Sequence, residues 1–365
     1  MTGRPRSTRR LALLAVALSA LLVTAGCLGS VGNLGANDTS AEPQLDSIPA
    51  SAEYVSYVDA AGMADDESLR SIANTAMEAS GEYDDGPTDV DGVFDQAEND
   101  SDLDPSKFDT MTAFGTAPEN PMEGEGSAAA VLATSYTEDE VVAAIEKQDG
   151  ELTEETYGDT TLYAYESDED DVSVLAVLGD GTFAAGDRSA VESVIDVRNG
   201  DADALNGDLK ATFEDTEDGY VRFAMAMPSE ADVPSGEQSV VGNQMDVSAL
   251  GNVTHVSGSF ATSDGNVTTT MSLVAASEGD ATEVYNAFDG VLSLYASMGE
   301  EDSATQSVLD AVSVSQDGET VTVTHTDTVE NVESQVEAFY DTEQTGYGSG
   351  SNSTSASVAT IPAGE

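Results

Sequence analysis

The chain has very little positive charge. Its 365 residues carry 11 Lys and Arg against 70 Asp and Glu, a formal net charge of −59. Four of the bases, Arg4, Arg6, Arg9 and Arg10, fall in the first ten residues, no acid precedes Asp38, and no Lys or Arg follows Arg222. Nucleic-acid binding rests on basic side chains displacing counterions from phosphates, so no nucleic-acid partner is expected. Anionic lipid headgroups are disfavoured for the same reason, and membrane attachment calls for a covalent lipid. A single cysteine, Cys27, rules out an intramolecular disulfide. Tryptophan is absent and there are two histidines, His255 and His325. A zinc site needs three or four ligands, which these residues could reach only with carboxylates. Three lysines, Lys107, Lys147 and Lys210, leave few candidates for lysine chemistry. The sequence contains no nucleophile elbow of the G-x-S-x-G type, no P-loop and no dinucleotide fingerprint. Carboxylate pairs for acid–base work stay open, because acids occur throughout and spacing alone does not rank them.

What is present argues for a folded domain. High net charge works against a compact state in dilute buffer and, with low hydrophobicity, marks disorder. Here 39% of residues are hydrophobic and they recur with helix and strand periods. Screening removes the self-repulsion, since the Debye length shrinks to roughly 3 Å at 1 M salt. The composition therefore reads as a folded acidic domain working in concentrated salt, and this usage is similar to that of haloarchaeal proteins.

Residues 1–26 read as a signal peptide. Met1–Arg10 is basic, Leu11–Val23 is apolar, and Thr24-Ala25-Gly26 precede Cys27. Thr24-Ala25-Gly26-Cys27 resembles the lipobox of exported lipoproteins, which implies that the Cys27 sulfur carries a lipid and becomes the mature N-terminus. Thr24 stands where an apolar residue is commoner. The apolar run is shorter than the roughly 20 residues of a spanning helix. Arg9 and Arg10 followed by Leu11 resemble a twin-arginine export signal, which implies folding before export.

Residues 27–47 read as a flexible tether and 343–365 as a disordered Gly/Ser/Thr-rich tail. The body between them alternates strands and helices. Strands are expected at 53–59, 127–135, 160–165, 172–178, 182–185, 220–227, 253–262, 266–275, 312–315 and 320–325. Helices are expected at 67–80, after a Thr137/Glu140 capping box, after Asp187, around Val284–Tyr295 and after Asp327. Residues 172–197 and 312–339 share one layout: strand, Asp-Gly turn, strand, capping Asp, helix containing Val-Glu-Ser. The expected class is α+β, antiparallel sheets with helices on one face. The body reads either as two duplicated units, 48–205 and 206–342, or as two uses of a common arrangement. The order of elements, with the composition, resembles uncharacterised lipid-anchored envelope proteins of haloarchaea across most of the mature chain. The resemblance implies no known activity.

Candidate sites are few. With Gly92 as the sixth position of an EF-hand loop, Asp89, Asp91, Asp95 and Glu98 fall at ligand positions three, five, nine and twelve. Pro87 at position one cannot coordinate through a side chain, and the other reading is a solvated acidic loop. No cofactor is expected unless Ca2+ binds there. Glycosylation sequons stand at Asn37, Asn99, Asn252, Asn266 and Asn352; Asn37, Asn266 and Asn352 lie in flexible segments or at a hairpin tip. The expected function is a non-enzymatic scaffold or interaction module on the outer membrane face, with a protein partner at the cell surface. A solute-binding lipoprotein of a transport system comes second and a carboxylate-dependent extracellular hydrolase third.

Overall fold

In a computed structural model, the residues described are 42–79, 87–116, 126–149, 152–166, 172–227, 247–298 and 310–337. They form β1 (Tyr54–Asp59), α1 (Ala60–Asp65), α2 (Glu67–Ala79), α3 (Val90–Ser101), β2 (Phe108–Gly115), β3 (Ala128–Thr134) and α4 (Glu138–Asp149). Next come β4 (Thr153–Tyr157), β5 (Thr160–Glu166), β6 (Val172–Gly179), β7 (Thr182–Asp187), α5 (Arg188–Asn199), α6 (Gly207–Glu214) and β8 (Val221–Ala226). The chain continues through β9 (Val253–Ser263), β10 (Asn266–Ala275), α7 (Glu278–Met298), β11 (Val312–Asp317), β12 (Thr320–Thr328) and a helix over 329–337, α8.

All twelve strands belong to one antiparallel sheet, in the order β11-β12-β10-β9-β8-β1-β2-β3-β7-β6-β5-β4. The α+β antiparallel class is as expected. The two halves are joined at the centre, where β1 pairs with β8 in the register Tyr54↔Met225 to Val58↔Val221. Outward from that seam each half repeats one path. β1-β2-β3 is followed by β7 and β6, and β8-β9-β10 by β12 and β11. The first half adds the β4–β5 hairpin at its edge, where exposed Glu154 and Glu155 discourage pairing with another sheet.

Alternation along the strands divides the core between the two faces. On face I, Val55, Phe114, Val131, Val174, Ala176 and Ala184 pack against α5 and α6, through Val191, Val194, Leu209 and Phe213. On face II, Leu132, Leu175 and Phe183 take Val141 and Ile145 of α4. In the second half, face II packs Leu273, Val321 and Val256 against Val284 and Phe288 of α7, and Val267 against Val332 of α8 and Ile72 of α2. One-sided packing thus holds for α7 and α8, while the first half carries helices on both faces. The matching segments 172–197 and 312–337 do fold alike as hairpin plus helix, yet α5 settles on face I and α8 on face II.

Local chemistry explains the elements. The Asp264-Gly265 hairpin has both residues at positive φ, 53° and 75°, the backbone of a two-residue primed turn. Thr137 and Glu140 form the reciprocal capping box, with Thr137 N donating to Glu140 Oε2 at 2.8 Å and Glu140 N to Thr137 Oγ1 at 3.3 Å. Lys107 donates to the same carboxylate, and these bonds hold Glu140 down at a pKa of about 2. Two capping expectations shift. Asp187 makes no cap bond and instead accepts from Ala128 N across the sheet at 2.7 Å. Thr328, one residue past Asp327, caps α8 by accepting from Asn331 N. Buried Asp327 accepts from Thr328 N, Asn331 Nδ2 and Gln335 Nε2 at 2.7–2.8 Å, pinning α8 to the sheet.

Leu45–Ser47, expected within the tether, packs on the body. Leu45–Ser47 is a 3-10 turn with Leu45 and Ser47 buried, Gln44 N donates to Thr112 Oγ1, and Lys210 pairs with Asp46. Leu45 and Ile48 are the apolar residues that draw this stretch onto face I.

Candidate functional surface

The acidic stretch does not form a calcium loop. Asp89 caps α3 by accepting from Gly92 N at 2.7 Å, and Asp91, Asp95 and Glu98 lie on the helix that follows. Gly92 sits inside that helix, without the sharp turn a sixth loop position needs. The reason is a period overlooked beneath the acids, Val90, Val93, Phe94 and Ala97, which is a helix face. Asp91 pairs with Arg70, and Asp102 just past the helix with Lys147. Among the described residues no group of three or more His, Cys, Asp or Glu is arranged to hold a metal ion.

Cys27, Arg9, Arg10, Asn37 and Asn352 lie outside the described residues. Asn99 is on α3, Asn252 donates to Asp280, and Asn266 opens β10 at the hairpin tip. The histidines are on opposite faces. His255 lies on face I beside Thr254 Oγ1 at 3.1 Å. His325 lies on face II between Thr269 and Val312 on the neighbouring strands.

Both ring nitrogens of His325 are buried and have no hydrogen-bond partner among the described residues. Burial pushes its pKa below the usual value, while Asp327 pulls the other way. Above about pH 6.5 both folded and unfolded chains hold this ring neutral. As pH falls through that value the unfolded ring takes a proton that the fold resists, so stability declines with falling pH until the folded pKa is passed. Denaturant midpoints measured in molar salt are expected to fall between pH 7 and 5.5, and to do so less in His325→Leu. Parallel profiles for both proteins would refute the assignment.

A buried polar cluster on face I includes Tyr57, Asp59 and Arg222. Asp59 caps α1 through Gly62 N at 2.8 Å, and burial, then Asp59, pushes Tyr57 well above the usual tyrosine range, with Arg222 opposing. Arg222 donates to Phe213 O and Thr216 O at the C-terminal end of α6 and lies over the Phe213 ring. These bonds tie β8 to α6, a structural use of the arginine. Indeed, all seven bases of the described body are engaged. Six pair with carboxylates, and Arg198 bonds Ser47 Oγ and Leu178 O.

The feature that stands apart is on face II near the central seam. Among the described residues, the exposed large hydrophobic ones are Met225, Met227 and Met271, at 39%, 37% and 41%. Register places Tyr54 and Val256 beside Met225, and Gly258 and Val323 beside Met271. The Phe223 ring lies over Gly258, where a Cβ would meet it at 2.6 Å. The result is an apolar, uncharged strip on a body of extreme negative charge. Sequence reasoning missed it because it depends on β8 lying between β1 and β9. The alternation Phe223, Met225, Met227 was its one local signal.

No family model matches this chain, and no curated protein matches it. The chain is similar to solved structures of TP0453. Crystal form III aligns at a TM-score of 0.43 and 10% identity, over 82% of this chain and 100% of that one. Crystal form I gives 0.42 and 10%, over 83% and 99%. Crystal form IV gives 0.44 and 11%, over 82% and 97%.

Proposed function

We propose that this is an exported, lipid-anchored envelope protein of a salt-adapted cell that binds a protein partner and catalyses no reaction. The exposed methionine strip is the observation that supports binding. Methionine is flexible and polarisable and suits adaptable contact surfaces, and exposed apolar patches mark interaction sites. The anchor rests on the Thr24–Cys27 lipobox and the basic and apolar segments before it. A transport-linked solute-binding role ranks second, since such proteins usually show two parallel α/β lobes and this sheet is antiparallel throughout. A carboxylate hydrolase ranks third.

Two measurements test this. Mass spectrometry of protein from native membranes is expected to find a chain starting at lipidated Cys27, and Cys27→Ser is expected to leave the membrane fraction. An unlipidated chain retaining residues 1–26 would remove the anchor. A photoreactive residue at Met271 is expected to crosslink one discrete partner, lost in Met225→Glu, while the same probe at Ser315 on the opposite face gives none. Equal labelling from both positions would remove the binding reading.

A further inference from the structure

We infer that Asn266 is a glycosylation site and that its glycan lies along the hydroxyl-bearing half of face I. The inference rests on the export reading above, because modification of this kind needs the exported side of the membrane.

The fold separates the sequons it describes. The Asn252 amide donates to Asp280 Oδ1 at 2.7 Å, and the Asn99 amide donates to Asp95 O at 2.6 Å on helix α3. The Asn252 bond is part-buried and ties the start of β9 to α7, while the Asn99 bond is an exposed one along its own helix. Asn266 has no such bond among the described residues. It follows the exposed turn Ser263-Asp264-Gly265, and its neighbours across the sheet are Ser263 and Thr328, both exposed. The turn backbone is held by its positive φ values and by Val329 N donating to Gly265 O, so the asparagine is presented at a rigid tip. A paired-arginine export signal implies that the chain arrives folded. An unbonded amide on an ordered turn, rather than exposure alone, then decides which sequon is modified, since Asn99 is exposed and Asn266 half-buried.

Alternation puts Asn266 on face I with Thr268, and beside them on the neighbouring strands Thr324, Thr326 and Ser313; Thr270, further along β10, is buried and donates to Glu217. Thr268 and Thr326 share a hydrogen bond of 2.9 Å. The helices packed over these strands, α7 and α8, are on face II. A glycan leaving Asn266 therefore meets a surface of hydroxyls that can bond to sugar.

The reaction takes a lipid-phosphate-linked oligosaccharide as donor. The Asn266 amide nitrogen forms a bond to the anomeric carbon, the carbon–oxygen bond to phosphate breaks, the lipid phosphate leaves with that electron pair, and the nitrogen loses one proton.

Intact-mass and glycopeptide analysis of protein from native membranes is the test. The peptide containing Asn266 is expected to carry a saccharide mass that disappears in Asn266→Gln and Thr268→Ala and persists in Thr268→Ser. The Asn252 peptide is expected to stay unmodified. An unmodified Asn266 on a chain whose Cys27 carries lipid overturns this inference alone. An unmodified Asn266 on a chain that still has residues 1–26 overturns it together with the export reading. Saccharide on Asn99 or Asn252 in preference to Asn266 overturns the choice of sequon.

Discussion

Dialysis from molar salt into dilute buffer is expected to unfold this protein, with loss of far-ultraviolet circular dichroism below roughly 1 M salt. The cause is visible on single elements. Helix α3 carries Asp91, Asp95 and Glu98 at spacings of four and three, with Asp102 four residues after Glu98. Like charges at these spacings destabilise a helix by a few tenths of a kcal/mol per pair. Arg70 and Lys147 each relieve one end of that row and nothing basic stands between them. The same holds on a larger scale, because the seven bases after Arg10 face 70 acids and are already engaged. At low salt the Debye length grows to about 10 Å at 0.1 M, and repulsion reaches between neighbouring helices as well as along each one. Screening is general, so sodium or potassium chloride alone is expected to restore the fold. Rescue at low salt by millimolar calcium, reversed by a chelator, would point to a specific ion site. Unchanged dichroism at low salt would refute the screening argument.

Most elements were legible because their signals are local. Asp-Gly between alternating runs placed the hairpins, and Thr137 with Glu140 placed the start of α4. The omissions have physical reasons too. In α3 the acids masked a short apolar period. β2 alternates Phe108, Thr110, Thr112 and Phe114 with Met111 and Ala113, so both faces are apolar or small and no strong alternation shows. The pairing of β1 with β8 joins strands more than 150 residues apart (roughly one domain's length), a long-range contact that no local pattern marks. The opposite placement of α5 and α8 is set by what each helix finds. α5 is apolar at Val191, Val194 and Ile195, and meets Val174 and Ala184 on face I. The corresponding face I positions around β12 are threonines, so α8 turns to Val267 on face II. The methionine strip exists only once these choices are made, which is why it could not be read from spacing.

The second large effect is expected at Gly186. This glycine, one residue before the end of β7, pairs with Ala129 of β3 and Val174 of β6, and has φ of 145°. An added Cβ would sit 2.5 Å from Ala128 O and 2.6 Å from Ala129 Cα. Both are backbone atoms of an interior strand, so no side chain can swing away to make room. Relief needs β3 and β7 to separate, and that joint holds β7, β6, β5 and β4 to the rest of the sheet. The neighbouring bond from Ala128 N to Asp187 Oδ2 closes the same joint, so a shift there weakens both. Gly186→Ala is expected to cost about 3–4 kcal/mol, combining backbone strain with the forced opening. That corresponds to a fall of about 10 °C in Tm for a body of this size. Gly200→Ala is the control, because Gly200 also has positive φ, 79°, but nothing stands within 4 Å of its added Cβ. It carries strain alone, about 1 kcal/mol. Thermal unfolding of both variants in molar salt separates the contributions. A Gly186→Ala midpoint no lower than that of Gly200→Ala would mean that β3 and β7 are not held as closely as the register requires, and the placement of four strands would fall with it.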